Sequence, residues 1–261
     1  MTQQAQKHIL ITGMSGLIGT LVGRHLAQHH RIRALNRRPV AGVDTVQADI
    51  ADRDAIGPAF TGIDTVVHLA ALIEGPDAQL MAANVEGTYN VLEAARQAGV
   101  RRVVLASTGS VAGAWAKDEP YCHMLRGDYA QVPSTWRLIR HDDPVRPNGL
   151  YAASKVASEG LARYYAEAHG LSILCLRLGR VEPSDQPQSP GHMVVFLTHR
   201  DCIQAVARSV EAPASIGFEA FFVTSANKWA MRDLTRAQQV IGYRPQDGLG
   251  DWKEPQDQLQ Y

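Results

Sequence analysis

Short apolar runs alternate with helical stretches along most of this 261-residue chain, and this alternation limits the possible folds more than any other feature. Helical spacing follows the first run to about residue 29 and recurs over 77–98, 151–169 and about 201–211. Parallel strands that are covered by helices on both faces show this pattern. The order of elements predicts an α/β fold, a doubly wound parallel sheet of the Rossmann type. The apolar runs are 8–12, 32–35, 45–48, 65–69, 102–106 and 172–176.

A glycine-rich turn follows the first apolar run and opens the first helix. Its spacing, with Gly13, Gly16 and Gly19, is G-x-x-G-x-x-G rather than the commoner G-x-G-x-x-G. Such a turn lets the backbone approach a pyrophosphate, and the helix N-terminus supplies N–H donors and a positive dipole. A tight turn without a ligand is the alternative, but the flanking strand and helix favour dinucleotide binding. The predicted cofactor contacts here are Gly13, Ser15, Gly16, Leu17, Ile18 and Gly19.

The second apolar run ends in Asn36-Arg37-Arg38, where NAD-binding proteins carry an acid for the ribose 2′-hydroxyl. The two guanidinium groups suit a 2′-phosphate, so NADP is favoured over NAD as the cofactor. The alternative is that both arginines are solvated surface charges. After the third run, Asp49 and Ile50 are placed for the adenine edge, unless Asp49 caps a helix that starts near Asp52.

Other candidate residues follow the fourth and fifth runs. Small residues after His68 let a cofactor lie over the sheet edge, although His68 itself fits a hydrogen-bonded core histidine. Asn84, a poor helix former in mid-helix, either organises a catalytic lysine or is structural. Thr108 offers a hydroxyl to a substrate oxygen. The remaining predicted cofactor contacts are Leu69, Ala70, Ala71, Asn84, Ser107, Tyr151, Lys155 and Leu178.

Tyr151 and Lys155 lie four residues apart and therefore share one face of the 151–169 helix. The lysine charge favours phenolate, which brings a tyrosine pKa nearer to neutrality and makes Tyr151 a usable acid or base. This chemistry suits an alcohol that loses a proton while its carbon loses a hydride. The alternative is a tyrosine ring that packs on the lysine stem.

Two stretches interrupt the alternation. Residues 114–148 carry aromatic side chains among prolines and charges, and so long a connection is expected to form an ordered lid. A Pro-rich segment at 183–190 follows Leu178, and the pattern beyond about residue 211 is irregular. We predict a single NAD(P)-binding domain over 1–261, with substrate-side elements at about 114–148, 179–200 and 224–261.

Composition excludes several classes of protein. Lys plus Arg and Asp plus Glu both total 26, so no net charge favours nucleic acid or an anionic membrane. No apolar run approaches the ~20 residues of a membrane helix. The three cysteines form no C-x-x-C motif and fit reduced thiols, and the N-terminus shows no signal peptide. We expect a cytoplasmic protein with a small-molecule substrate and no metal site.

With these motifs in order over roughly residues 8–210, the sequence resembles the short-chain dehydrogenase/reductase superfamily, in its extended, epimerase/dehydratase-like branch. The resemblance implies that Tyr151 is the acid/base and that Lys155 lowers its pKa and holds the nicotinamide ribose. It also implies that Thr108 contacts the substrate oxygen and that Asn84 relays protons through water. A homodimer is expected, through a four-helix bundle that includes the 151–169 helix.

The segments Phe196–Asp201 and Thr224–Asn227 and the compact length are similar to the uronate dehydrogenases, which oxidise the anomeric carbon of a sugar acid. Gly109 and Ser110 stand where that group has substrate-contacting Asn and His. His192 stands where a carboxylate-binding arginine is expected, and Arg180 is a candidate for a different carboxylate contact.

The resulting prediction is an NAD(P)-dependent oxidoreductase that transfers hydride at a hydroxyl or carbonyl group of a sugar or sugar acid. Two alternatives stay open. One is an epimerase or dehydratase that gives no net redox change, and the other is a regulator that binds NADP without catalysis.

Overall fold

The computed structural model describes residues 6–253. Most of the first seven residues and the end of the predicted 224–261 segment therefore lie outside the described range. Seven parallel strands form one sheet in the order β3-β2-β1-β4-β5-β6-β7, which confirms the predicted doubly wound fold. The strands are β1 (His8–Thr12), β2 (Arg31–Asn36), β3 (Asp44–Gln47), β4 (Thr65–His68), β5 (Arg102–Thr108), β6 (Ser172–Leu178) and β7 (Phe218–Val223).

Helices cover both faces of this sheet because successive strand residues point to opposite sides. Ile9 and Ile11 of β1 belong to the apolar core on one face, and Leu10 between them belongs to the core on the other. The helices are α1 (Leu17–Leu26), α2 (Arg53–Ile56), α3 (Asp77–Met81), α4 (Gly87–Gln97), α5 (Tyr121–Arg126), α6 (Leu150–His169), α7 (Pro190–Val195), α8 (His199–Glu211) and α9 (Thr235–Ile241). Helices α1 and α8 pack together on the first face, and α4 and α6 on the second.

The strand order reverses between β1 and β4, because the chain leaves β1 towards β2 and later returns to pair β4 with the other edge of β1. Ligands of doubly wound sheets bind in the crevice at the carboxyl ends of the strands beside such a reversal. The glycine-rich turn follows β1 and Leu69 follows β4, so both predicted motifs lie at this crevice.

Beyond residue 211 the sequence analysis was wrong, because β7 and α9 are regular elements in a region that the pattern described as irregular. Glu219 interrupts the apolar run of β7, and β7 is an edge strand whose first half is only partly buried. The Glu219 carboxylate forms an ion pair with Arg236 of α9. The charged Glu219 thus disrupted the apolar pattern of the strand, and its ion-pair partner Arg236 is identified only in the folded structure.

The 114–148 segment packs near the carboxyl end of β7. It begins within a 3-10 helix (Gly109–Lys117) and contains α5 and a 3-10 turn (Tyr129–Gln131). The 3-10 helix and α5 share a third apolar cluster with α7 and with Phe222 of β7. The Trp229 ring stacks on Tyr129, with ring centroids 4.5 Å apart. Among residues 6–253, no helix is long and apolar enough to cross a membrane.

Candidate active site

The glycine-rich turn fits against β4 only because it lacks side chains. Gly13 has a φ of 69°, and a Cβ on it would lie 2.8 Å from the Ala70 Cα. A Cβ on Gly19 would lie 2.6 Å from the Gly13 carbonyl oxygen. Both neighbours are backbone atoms, which cannot move aside cheaply, so this close approach requires glycine at both positions.

The start of α1 offers free donors beside this turn. Gly16, the N-cap residue, supplies no side-chain hydrogen bond to the helix. Within the described chain, the N–H groups of Leu17 and Ile18 have no backbone acceptor outside the helix. Unsatisfied N–H groups at a helix N-terminus form a binding site for phosphate oxygens. The residues present therefore fit the pyrophosphate of a dinucleotide.

Asn36 connects the glycine-rich turn with the two arginines. Its Nδ2 donates to Ser15 Oγ at 3.1 Å and to the Arg38 carbonyl oxygen at 2.8 Å. The Arg37 and Arg38 side chains are exposed, and in residues 6–253 neither guanidinium has an ion-pair partner. This end of β2 therefore carries two free positive charges and no carboxylate.

Asp49 and Ile50 lie after β3. The Asp49 carboxylate accepts a hydrogen bond from the Ala51 N–H at 3.0 Å. Asp52 caps α2 by accepting from the Ala55 N–H at 3.2 Å, so the cap is not Asp49. The Ile50 side chain is buried, and its carbonyl oxygen accepts from Asn90 at 3.0 Å.

His68 is fully buried and bridges β1 to α4. Its Nδ1 lies 2.7 Å from Thr12 Oγ1, and its Nε2 lies 3.1 Å from Thr88 Oγ1. Thr88 donates its hydroxyl hydrogen to the Asn84 carbonyl oxygen, so it accepts from His68. The ring is then a neutral Nε2–H tautomer. Burial, and next the charge of Lys155, lower the His68 pKa to about 3.

Thr12 carries this network into the cofactor crevice. Its Oγ1 accepts from the N–H groups of Leu69 and Ala70, at 3.2 and 3.1 Å. Because the Thr12 hydroxyl hydrogen is directed to His68, the ring fixes the backbone that faces Gly13. His68 is therefore a hydrogen-bonded core histidine that positions the crevice backbone at Leu69 and Ala70 through Thr12.

Asn84 lies in a π-helical turn (Ala82–Glu86) between α3 and α4, and such turns are frequent at functional sites. Its Oδ1 accepts from the Leu72 N–H, and its Nδ2 donates to the Leu72 carbonyl oxygen, both at 2.8 Å. Nδ2 also donates to Ser154 Oγ at 3.0 Å. Asn84 thus ties the segment after β4 to the helix turn that carries Tyr151 and Lys155. Its role as a proton relay stays a prediction.

Tyr151 lies in the first turn of α6, near Thr108 at the end of β5. Thr108 Oγ1 accepts from the Ser110 N–H at 3.1 Å, which begins the following 3-10 helix. Burial raises the pKa of the Tyr151 phenol, and the nearby Thr108 hydroxyl opposes this shift. The structure therefore brings the predicted acid/base and the predicted substrate-oxygen partner together.

Lys155 lies one turn later on α6 and is fully buried. Burial lowers its pKa to about 8, and the nearby Cys175 and Glu159 oppose that shift. The charges that act on Lys155 are thus not those of Tyr151. This corrects the expectation that the tyrosine–lysine spacing by itself gives Tyr151 a lowered pKa, because desolvation dominates both groups.

Ser107 points away from the crevice into a buried ion pair that the sequence analysis missed. Its hydroxyl donates to Glu159 Oε1 at 2.6 Å. Arg177 donates to the same carboxylate through Nε at 3.0 Å and Nη2 at 2.8 Å. An arginine within the otherwise apolar run of β6 was the available signal, since a buried charge requires a partner. Leu178 is buried at the end of β6.

The predicted substrate residues fall into two places. Gly109 and Ser110 directly follow Thr108. Arg180 and His192 lie together beside Glu182. Arg180 Nε is 2.5 Å and His192 Nδ1 is 3.4 Å from Glu182 Oε1. Burial, and next the charge of Arg180, lower the His192 pKa. The Glu182 carboxylate neutralises Arg180, so this pair offers little to a second carboxylate.

Residues 9–204 match the NAD dependent epimerase/dehydratase family. The chain is 37% identical over 252 residues to an L-arabinose 1-dehydrogenase (NAD(P)(+)) of Haloferax volcanii, covering 92% of this chain and 96% of that protein. It is 30% identical to a uronate dehydrogenase of Agrobacterium fabrum, covering 92% and 85%. A uronate dehydrogenase variant from Agrobacterium tumefaciens, complexed with NAD, superimposes with a TM-score of 0.77 at 27% identity, covering 94% and 86%.

The sheet, the glycine-rich turn, and Tyr151 of α6 near Thr108 at the end of β5 define a dinucleotide-binding enzyme of the extended short-chain type. The chain belongs to the NAD dependent epimerase/dehydratase family. The predicted family and the predicted class of enzyme are confirmed by this membership, whereas the choice between NAD and NADP stays a prediction.

Proposed function

We propose that this chain is an NAD(P)-dependent dehydrogenase that oxidises a hydroxyl group of a free sugar or sugar acid. The proximity of Tyr151 and Thr108 beside the cofactor crevice carries the proposal. Relatives over nearly the whole chain are sugar and sugar-acid dehydrogenases, which favours net oxidation over epimerisation. The test is the appearance of reduced nicotinamide when purified protein is mixed with NAD or NADP and a series of aldoses and uronic acids.

In the proposed mechanism the substrate hydroxyl lies between Thr108 Oγ1 and the Tyr151 phenol oxygen. Tyr151 accepts the hydroxyl proton as the carbon gives up its hydride. NAD(P)⁺, when bound, would supply the hydride acceptor and a positive charge that favours the Tyr151 phenolate. Lys155, one turn from Tyr151 on α6, would donate to the nicotinamide ribose and add its ammonium charge to that effect.

Asn84 and His68 act as positioning residues for this arrangement. Asn84 holds the catalytic turn of α6 through Ser154, and His68 holds the crevice backbone through Thr12. Both hydrogen bonds are buried, so water does not compete with them and they hold Ser154 and Thr12 in place.

NADP is the proposed cofactor because Arg37 and Arg38 are exposed and without a carboxylate partner among the described residues. Replacing both with alanine removes the charges that would hold a 2′-phosphate. We expect kcat/KM for NADP to fall about thirtyfold, while the value for NAD changes by less than about threefold. Steady-state kinetics with both cofactors measure this, with Arg24→Ala, an exposed arginine of α1, as control. Equal losses with both cofactors would contradict the assignment.

A homodimer is proposed through α4 and α6. Tyr89 of α4, Tyr164 of α6 and Met81 at the end of α3 are large side chains that are exposed on this side of the protein. A groove beside them is lined by Ala78, Met81, Ala82, Val85, Glu86, Tyr89 and Leu161. An apolar face of this kind is typical of a site for a second chain.

Tyr164→Asp is expected to convert the dimer to a monomer, because it places a charge in the centre of that face. Sedimentation velocity measures the result. Gln28→Asp, an exposed change beyond the end of α1, should leave the dimer intact. A wild-type protein that sediments as a monomer at micromolar concentration would refute the proposed interface.

A cytoplasmic location is also proposed. Cys175 and Cys202 are buried free thiols and Cys122 is a partly buried one, as expected in a reducing compartment. Cell fractionation followed by immunodetection tests this location, and recovery in a secreted or periplasmic fraction would contradict it.

A further inference from the structure

Arg232 is a buried arginine without a counter-charge. Only 6% of its surface is exposed, and within residues 6–253 its guanidinium forms no ion pair and no hydrogen bond. Its three guanidinium nitrogens lack a protein partner among these residues but are not sealed from solvent. They therefore open onto space that water or a small molecule reaches. A guanidinium in such a place is costly to bury unless an anion or several acceptors meet it.

The guanidinium lies against Gly109, the residue that follows Thr108. A Cβ on Gly109 would lie 1.9 Å from Arg232 Nη1, so Arg232 fills the space that a side chain at position 109 would occupy. The Thr108 hydroxyl lies near Tyr151. Because position 109 has no side chain, the Arg232 guanidinium, from the segment after β7, can occupy that space.

The surroundings of Arg232 carry excess positive charge. Its guanidinium carbon lies 5.4 Å from the centre of the Phe222 ring, and that of Arg177 lies 5.2 Å from the same ring. The Glu159 carboxylate is already bound by Arg177. Burial, and next the charge of Arg177, lower the Arg232 pKa to about 10, so Arg232 remains charged at neutral pH.

We propose that Arg232 is a specificity-determining residue that binds an anionic oxygen group of the substrate, a carboxylate or a phosphate, beside Thr108. The inference rests on the proposed dehydrogenase function and narrows its substrate class to acidic sugars. A planar guanidinium matches either oxyanion with two parallel hydrogen bonds. Arg180 is less suited to this role because Glu182 already neutralises it.

The position of the Arg232 backbone supports a fixed site. Residues 231–233 pair with Ile139 of the 114–148 segment: the Ile139 N–H donates to the Met231 carbonyl oxygen at 2.8 Å and the Asp233 N–H donates to the Ile139 carbonyl oxygen at 2.9 Å. The arginine is therefore held at both sides of its Cα. A recognition group on such a rigid support loses little entropy on binding.

The test compares three substrates that share one ring: D-galacturonate, D-galactose 6-phosphate and neutral D-galactose. In wild-type protein, kcat/KM for one of the two acidic sugars should exceed that for galactose, and which one it is distinguishes a carboxylate from a phosphate as the natural group. In Arg232→Met, the ratio of acidic to neutral kcat/KM should fall about a hundredfold. Arg232→Lys, which keeps the charge but not the paired hydrogen bonds, should restore part of that ratio.

Two further variants separate recognition from folding. Arg126→Met removes an exposed arginine of the same substrate-side region and should leave the ratio unchanged. Gly109→Ala retains the charge but displaces the guanidinium, so it should lower the ratio, and the double variant Gly109→Ala/Arg232→Met should lose no more than Arg232→Met alone. A wild-type preference for galactose, or equal losses for acidic and neutral sugars in Arg232→Met, would overturn the proposal.

Binding is measured separately from turnover, by calorimetric titration of the same acidic sugars into wild-type protein and Arg232→Met with NADP present. Binding that only wild-type protein shows, without reduced cofactor, would support Arg232 and refute the dehydrogenase. Turnover of the sugars by both proteins, with the same affinity for the acidic sugars in wild type and Arg232→Met, would support the dehydrogenase and refute the role of Arg232.

Discussion

Tyr151→Phe is expected to lower kcat about a thousandfold, because the variant lacks the hydroxyl that accepts the substrate proton. The ring remains, and the cofactor crevice is formed by other elements, so the affinity for NADP should stay within about threefold of wild type. Stopped-flow and steady-state measurement of reduced nicotinamide give kcat, and fluorescence titration gives the cofactor affinity.

Tyr164→Phe is the matched control, since Tyr164 lies on the same helix with 57% of its surface exposed and should tolerate the loss of its hydroxyl. Near-normal turnover in Tyr151→Phe would remove Tyr151 as the acid/base. An equal loss of cofactor affinity and turnover would mean that the tyrosine acts in binding rather than in proton transfer.

The second large effect concerns the stability of the protein in acid. His68 has a pKa of about 3 when folded and about 6.5 when unfolded. A depressed pKa means that the unfolded chain binds the proton first, so the folded state loses stability as pH falls from about 6.5 towards 3. The loss amounts to about 1.4 kcal/mol per pH unit in this window.

His68→Gln removes that titration while keeping a donor near Thr88. The difference in the free energy of unfolding between wild type and variant should therefore shrink by about 2.3 kcal/mol between pH 6.5 and 4.5. Urea unfolding at a series of pH values measures both proteins, and the carboxyl groups that they share cancel in the difference. Parallel stability curves would show that His68 is not held neutral in the fold.

The predicted site residues whose positions the sequence indicates well share one property, which is that their placement depends on residues close to them in the chain. Gly13 and Gly19 are required by a turn between neighbouring elements, and their spacing is visible in one stretch. Tyr151 and Lys155 share a helix face by spacing alone. Strands β5 and β6 extend two residues beyond the apolar runs, to Thr108 and Leu178, because the polar residues Ser107 and Arg177 still pair in the ladder.

The residues that sequence reasoning missed act through partners far away in the chain. Glu159 meets Arg177 and Ser107 across a sheet–helix contact, and no pattern in the sequence pairs them. Arg232 reaches Gly109 from more than a hundred residues away. Burial, which sequence spacing does not reveal, raises the pKa of Tyr151, whereas the spacing of Tyr151 and Lys155 predicted a lowered pKa.

Transfer of deuterium from a sugar that is labelled at its anomeric carbon is the most direct test of net hydride transfer. Mass spectrometry of the cofactor after incubation with NADP and labelled D-galacturonate, D-galactose 6-phosphate or D-galactose should find one deuterium in the reduced nicotinamide, released into solution in step with the oxidised sugar. Cofactor that stays oxidised with all three sugars, or label that stays on tightly bound cofactor while the sugar is merely isomerised, would contradict a dehydrogenase, and the second result would favour an epimerase.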